Sequence, residues 1–274
     1  MTISNIMSVD LEDYFCDLPF EEWSKYESRV VGNTEMILDL FEKYEVKSTF
    51  FVLGYIAEQF PDLIKKISAL GHEIASHSYA HIDLRKVSKE KFEDDFIKSK
   101  NILEKITGKK VQGFRAPFFS INKNNYWVFE ILSKNISYDS SIFPVKTQLY
   151  GIPNAPRNIY KPSLKNIVNE DKNGKLIEIP MATYRIPVIG NLPIAGGFYL
   201  RFFPYWFMKS GIKKLNSQGK PAMIYIHPKD LDPNMPRIDE YSWYYYFNLK
   251  SAVKKFEKLL KDFKFSTAED ILSI

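Results

Sequence analysis

Three of the four histidines in the chain fall within residues 71–84, GHEIASHSYAHIDL, with Glu73 directly after the first. His77 and His81 stand four residues apart, a spacing from which two imidazoles can converge on one metal ion. Such a pair fits a solvated loop as readily as a metal site. Its meaning depends on which other polar residues the fold brings to it.

The remaining candidates end apolar runs. In SVDLEDYF, strand alternation points Asp10 and Glu12 one way and Asp13 the other, unless a bulge turns Asp13 inward. Arg115 follows an apolar run in GFRAPFF, where Pro117 turns the chain; Asp139 lies in ISYDSS; and His227 stops the run AMIYIHP. Singly these read as a helix cap, half of an ion pair or a core histidine. Jointly they supply the parts of metal-assisted hydrolysis. Two neutral imidazoles and a carboxylate hold an ion and leave a position open for water, whose pKa then falls toward about 7. A second carboxylate takes the proton of the attacking water, and a separate protonated histidine serves the leaving group. An arginine beside the base orients it through charge and a bidentate hydrogen bond.

These residues need strands that end at a common level. The runs NIMSVD, KSTFFVLG, HEIASHS, VQGFRAPFF, ISYDSS, KLIEIPMA, PAMIYIHP and FKFSTAED read as strands. Helical patterns lie between most of them: NTEMILDLFEKYE, with Asn33 or Thr34 as N-cap; PDLIKKISAL, closed by Gly71; Ser88 to Gly108; NKNNYWVFEILSK; WFMKSGIKKLNSQG; and NLKSAVKKFEKLLKDF. Strand and helix alternating this often imply parallel strands with right-handed crossovers, and so a (β/α) barrel whose chemistry sits at the C-terminal strand ends. One domain over 1–274 is expected, with only 151–175 loop-like enough to be an insertion.

Composition narrows the function classes. The 274 residues are 45% hydrophobic and 26% charged, a globular balance with no long apolar run. The net charge of +5 is spread along the chain without a basic stripe, which argues against nucleic acid as partner. Cys16 is the only cysteine, so no intramolecular disulfide forms. The opening MTISNIMSVDLEDYF has neither a basic start nor an apolar run of secretory length, and a cytoplasmic protein is expected.

In chain order, an acidic motif on the first strand, then HSYAH, RAPF, YDSS and YIHP resembles the polysaccharide deacetylase family, carbohydrate esterases with the nodulation-type deacetylase domain. The resemblance implies a distorted (β/α) barrel of about seven strands, TIM-barrel-like, which removes acetyl groups from sugars with a divalent metal, commonly Zn²⁺, with Co²⁺, Ni²⁺ or Mn²⁺ as alternatives. By the same resemblance Asp10 matches the base, His77 and His81 the metal ligands, Arg115 the tether of the base and His227 the general acid. The Phe118 N–H matches the oxyanion donor, and Asp139 the aspartate that orients the acid histidine. Many members carry two adjacent aspartates where this chain has DLED. Alternation favours Glu12 as the third ligand, with Asp13 as the alternative.

The block PIAGGFYLRFFPYWFMKSGIKKLN, at 193–216, together with DLEDYF, resembles a subgroup found with bacterial exopolysaccharide and surface-glycan synthesis genes. The expected function is therefore N-deacetylation of an N-acetylated sugar during glycan assembly, a hydrolysis of a C–N bond other than a peptide bond. The alternatives are a catalytically silent carbohydrate-binding barrel and an amidase acting on a non-sugar amide. Gly196 and Gly197 are expected to let the backbone pass close to the sugar. The aromatic and basic residues after them suit a core element, a sugar-binding rim, or peripheral contact with the inner membrane that presents a lipid-linked oligosaccharide.

Overall fold

A computed structural model describes residues 3–274; Met1 and Thr2, part of the opening segment, lie outside the described residues. Eight strands form one parallel sheet: β1 (Ser4–Leu11), β2 (Thr49–Val52), β3 (Glu73–Ser76), β4 (Gly113–Phe114), β5 (Tyr138–Asp139), β6 (Ile177–Glu178), β7 (Met223–Ile226) and β8 (Lys264–Ser266). Their order is β7-β1-β2-β3-β4-β5-β6, with β8 beside the start of β1. Between β6 and β7 the barrel is not closed by a ladder. There Ala182 donates its N–H to the Met223 carbonyl. The result is the α/β fold expected, a curled parallel sheet forming a distorted half-barrel.

The strands are apolar because both faces are covered. Ile6, Met7, Val9, Leu11, Phe50, Phe51 and Val52 are fully buried. Register then sets the site. Val9 pairs with Ile226, Asp10 with Phe51, Val52 with Ser76, and Ser76 with Phe114. Asp10, His77, Arg115 and His227 consequently leave their strands at one level, on neighbouring strands at one end of the barrel.

Helices α1 (Val30–Lys43), α2 (Gly54–Gln59), α3 (Pro61–Ala69), α4 (Lys89–Thr107), α5 (Trp127–Asn135), α6 (Gly197–Phe202), α7 (Tyr205–Asn216), α8 (Leu249–Asp262) and α9 (Ala268–Leu272) accompany the sheet. Helix α4 begins and ends as its caps dictate. The Ser88 hydroxyl accepts the Lys91 N–H, and Gly108 takes a left-handed φ of 67°. Helix α1 departs from expectation, starting before Asn33 and Thr34. The Asp13 carboxylate accepts the N–H groups of Arg29 (3.0 Å) and Val30 (3.2 Å), a capping role filled from a distant segment. In VQGFRAPFF only Gly113–Phe114 is strand. Pro117 offers no N–H to a ladder, and Phe118 and Phe119 have φ of 56° and 47°, which swings the chain across the barrel mouth. The 151–175 segment carries a small antiparallel pair, Pro162–Ser163 with Asn166–Glu170.

Asp139 and Glu178 form a buried acid pair on β5 and β6. Burial and the neighbouring Asp139 charge push Glu178 well above the usual carboxylate range, so it keeps its proton. A raised folded-state value means that its stabilising contribution is complete below the unfolded value of about 4.3 and fades as pH rises through the folded value. Glu178→Gln keeps an acceptor for the Ile142 N–H, bonded at 3.0 Å in the wild type, and needs no proton. Melting temperatures at pH 5 and pH 8 should therefore differ less in the variant than in wild type. An equal pH dependence would show that the pair is not the source.

Candidate active site

The candidate residues converge on a cavity of about 360 Å³ at the C-terminal strand ends, lined among others by Asp10, Glu12, His77, His81, Phe118 and His227. Ligand atoms of Glu12, His77 and His81 all lie within 4.8 Å of one another. Each imidazole is oriented by its other nitrogen. His77 Nδ1 lies 2.8 Å from the Arg115 carbonyl oxygen, and His81 Nδ1 lies 2.9 Å from that of Cys16. A carbonyl only accepts, so both Nδ1 atoms carry the proton, and in the neutral rings both Nε2 atoms present lone pairs to the centre.

Glu12 Oε2 stands 2.8 Å from His81 Nε2 and 4.0 Å from His77 Nε2. This oxygen is buried with no hydrogen-bond partner among the described residues. An anionic oxygen facing two imine nitrogens is repulsive unless a cation stands between them. One proton would serve one of these pairs, whereas a divalent ion would serve all three atoms. The residues thus fit a divalent ion of the Zn²⁺ type. Burial works against the Glu12 charge, but Lys229, with the protonated forms of His81 and His227, outweighs it and holds the carboxyl well below its usual range when no metal is bound. Burial keeps His77 neutral, its pKa pushed down to about 4 against the pull of Asp10. Asp13 is excluded from the centre. Its oxygens are spent on Ser28 Oγ (2.5 Å), the Tyr14 N–H (2.9 Å) and the start of α1.

Asp10 Oδ1 accepts from Arg115 at 2.5 Å, and both residues are buried. The expected bidentate grip is absent. Arg115 spends its other donors on Ser8 Oγ, the Ser140 carbonyl and Ser140 Oγ, with its guanidinium 4.0 Å above the Phe51 ring. This leaves Asp10 Oδ2 facing His227 Nε2 at 3.9 Å.

The partner of His227 differs from expectation. Asp230 Oδ2, 2.8 Å from Nδ1, orients the ring and also accepts the His227 N–H at 2.9 Å. Asp139 binds the Ser141 hydroxyl (2.7 Å) and N–H (3.1 Å) instead, and Ser141 Oγ accepts the Ala116 N–H, so Asp139 acts on the Arg115 turn. Burial disfavours the His227 cation, but the Glu12 and Asp230 charges prevail and raise its pKa above the ordinary value. The local signal for Asp230 was its place three residues after His227 behind a proline, a cap-forming spacing.

Two further residues had no sequence signal. Lys229 Nζ donates to Glu12 Oε1 (2.6 Å) and Asp17 Oδ2 (2.7 Å), so Glu12 offers the centre only its second oxygen. Asp95 on α4 accepts the N–H groups of Tyr79 (2.7 Å) and Ala80 (3.2 Å), clamping the loop between the two histidines. That loop contains the left-handed residues Ser78 (φ 70°) and His81 (φ 49°), a strain that surrounding bonds must hold. Asp95→Asn should weaken metal affinity by about 10- to 100-fold, the range for residues that orient ligands, as read by competition with a metal indicator. Unchanged affinity would assign the clamp to folding alone.

Phe118 has its ring 4.4 Å from that of His81, and its N–H has no acceptor among the described residues. Gly196 and Gly197 are not among the lining residues. A Cβ on Gly196 would meet the Tyr225 hydroxyl at 2.7 Å, and one on Gly197 would overlap the Asp230 carboxylate. Their small size makes room for Tyr225 and Asp230.

Residues 20–132 match the model for polysaccharide deacetylase, and residues 140–273 match a domain of unknown function, DUF3473. The first match begins beyond Asp10 and Glu12, whose place in the site comes from β1 itself. A peptidoglycan-N-acetylglucosamine deacetylase of Bacillus cereus is 38% identical over 98 residues, 35% of this chain; the chain spans only 36% of that relative's length. A putative polysaccharide deacetylase from Mycobacterium smegmatis superposes with a TM-score of 0.62 at 17% identity, covering 100% of this chain and 93% of that one. A CE4 family pseudoenzyme from Bacillus anthracis superposes with a TM-score of 0.50 at 14% identity, covering 99% of this chain and 66% of that one. Residues 20–132, with the histidine motif, are thus similar to polysaccharide deacetylases, and residues 140–273, with β6 to β8 and His227, carry a DUF3473 region built into the same sheet.

Proposed function

We propose that the protein is a metal-dependent N-deacetylase that hydrolyses the acetamide of an N-acetylated sugar, releasing acetate and a free amino sugar, in the assembly of a bacterial surface glycan or exopolysaccharide. The observation that carries the reading is the unpartnered Glu12 Oε2 facing two oriented imidazole nitrogens, between the Asp10–Arg115 pair and the His227–Asp230 pair in one cavity.

A divalent ion held by Glu12, His77 and His81 would supply Lewis acidity toward water and the acetamide oxygen. Asp10, fixed through Oδ1 by Arg115, accepts the proton of the attacking water on Oδ2. The Phe118 N–H donates to the oxyanion as it develops. The C–N bond breaks as His227 delivers a proton from Nε2 to the departing nitrogen, while Asp230 holds Nδ1 and steadies the imidazolium.

A silent carbohydrate-binding barrel would need the groove but not the set Asp10, His77, His81, Arg115 and His227, and an amidase acting on other amides would need no sugar. The test is acetate release from N-acetylated sugars beside simple acetamides, with and without chelator. Chelator-sensitive release from sugars supports the proposal. Turnover of acetamides alone, or none after metal loading, defeats it.

A further inference from the structure

Helix α6 and the turn Trp243–Tyr245 put a run of aromatic rings at the cavity mouth. Phe202, Trp243 and Phe247 are 49%, 64% and 37% exposed. Ring centroids are 5.4 Å apart for Phe198–Phe202, 6.0 Å for Phe202–Phe247 and 5.6 Å for Trp243–Phe247, and Phe198 also touches Tyr244 at 6.0 Å. Phe198 and Tyr244 line the cavity itself. The exposed rings are therefore continuous with the candidate active site. Contiguous exposed apolar surface of this kind marks a binding surface more often than a solvated face.

The ridge is held rigid. Buried Arg201 donates to the carbonyl oxygens of Tyr244 (3.1 Å), Tyr245 (3.1 Å) and Phe247 (2.6 Å), and to Asp230 Oδ1 at 3.1 Å. One guanidinium thus ties the aromatic turn to the residue that orients His227. A surface fixed before its ligand arrives loses less entropy on binding.

We propose that Phe198, Phe202, Trp243, Tyr244 and Phe247 form a track for further sugar residues of an acetylated glycan chain whose reacting unit lies in the cavity. The proposal rests on the deacetylase reading above. Pyranose rings offer C–H faces to aromatic side chains and keep their hydroxyls in water, a match for half-exposed rings beside a polar cavity. The charges argue against an anionic lipid surface. Arg201 is spent on carbonyls and Asp230, Lys209 pairs with Asp262 at 2.7 Å, and the exposed charges flanking the turn, Arg237, Asp239, Glu240 and Lys250, are two of each sign. Binding to anionic lipid calls for a basic excess.

The test compares kcat/KM for the β-1,4-linked tetramer of N-acetylglucosamine with that for the monomer, using metal-loaded enzyme. Wild type should prefer the tetramer by about tenfold or more, and the F202A/W243A double variant should bring the ratio to within about twofold of unity, since a few central aromatics dominate such surfaces. Trp243→Phe, which keeps a ring, should retain most of the preference. A wild-type ratio of unity, or one unchanged in the double variant, overturns the track. Tryptophan fluorescence titration with the tetramer separates the two readings. Binding that depends on Trp243 without acetate release would sink the deacetylase assignment and keep the track, whereas acetate release without length preference would do the reverse. Flotation of wild type with phosphatidylglycerol vesicles, lost in the double variant, would assign the ridge to lipid instead.

Discussion

His77→Ala is expected to abolish tightly bound divalent metal and acetate release together. The site has three protein donors, and the variant removes one of its two imidazoles. Glu12→Gln should behave the same way, because a neutral amide leaves the ion without its only charged donor in that set. Asp13→Ala is the informative control. Its carboxylate caps α1, so the alanine variant should retain metal while losing about 0.5–2 kcal/mol of stability, the range for a lost cap. Elemental analysis of purified variants decides the matter. Full metal occupancy in H77A would remove His77 from the centre, and metal lost in D13A but kept in E12Q would remove Glu12.

Asp10→Asn and His227→Ala are expected to lower kcat by about 10²- to 10⁴-fold each, the range for a general base or acid, with metal content near wild type. Neither is needed to hold the ion. Asp10 faces Arg115 through one oxygen and His227 through the other, and His227 meets Glu12 only at 3.6 Å. Asp230→Asn should act through His227. The Asp230 charge helps to raise the His227 pKa, so its loss lowers that pKa, and the acid form of the histidine is exhausted at lower pH. The alkaline limb of the kcat profile should therefore move to lower pH, a change that mere loosening of the fold would not produce. Full activity of H227A on an unactivated acetamide would end the general-acid assignment.

How much of this was legible beforehand follows from the range of each signal. The places of the strands and the boundaries of α4 at Ser88 and Gly108 rest on periodicity and capping within a few residues, signals that folding keeps even where a strand such as Gly113–Phe114 is shorter than its apolar run, whereas Glu12 lies just past the end of β1 in a turn where its N–H meets the Asp10 carbonyl. The convergence of His77, His81, Arg115 and His227 was readable because parallel strands place their ends together. Asp13 and Glu12 were separated by an event 16 residues on, where the Arg29 N–H takes the Asp13 carboxylate. The choice of Asp230 over Asp139 turned on where a side chain points after its strand ends. Asp139 stays in its own turn with Ser141, while the proline-led turn after β7 folds Asp230 back onto His227. The small size of Gly196 and Gly197 answers Tyr225 and Asp230, residues at least 28 positions away. Residue type, spacing and strand order thus determined the chemistry on offer in this chain. Which carboxylate faces the two imidazoles, which orients His227, and how Lys229, Asp95 and Arg201 brace them were decided only by tertiary structure, because those contacts join residues that local backbone geometry cannot bring together.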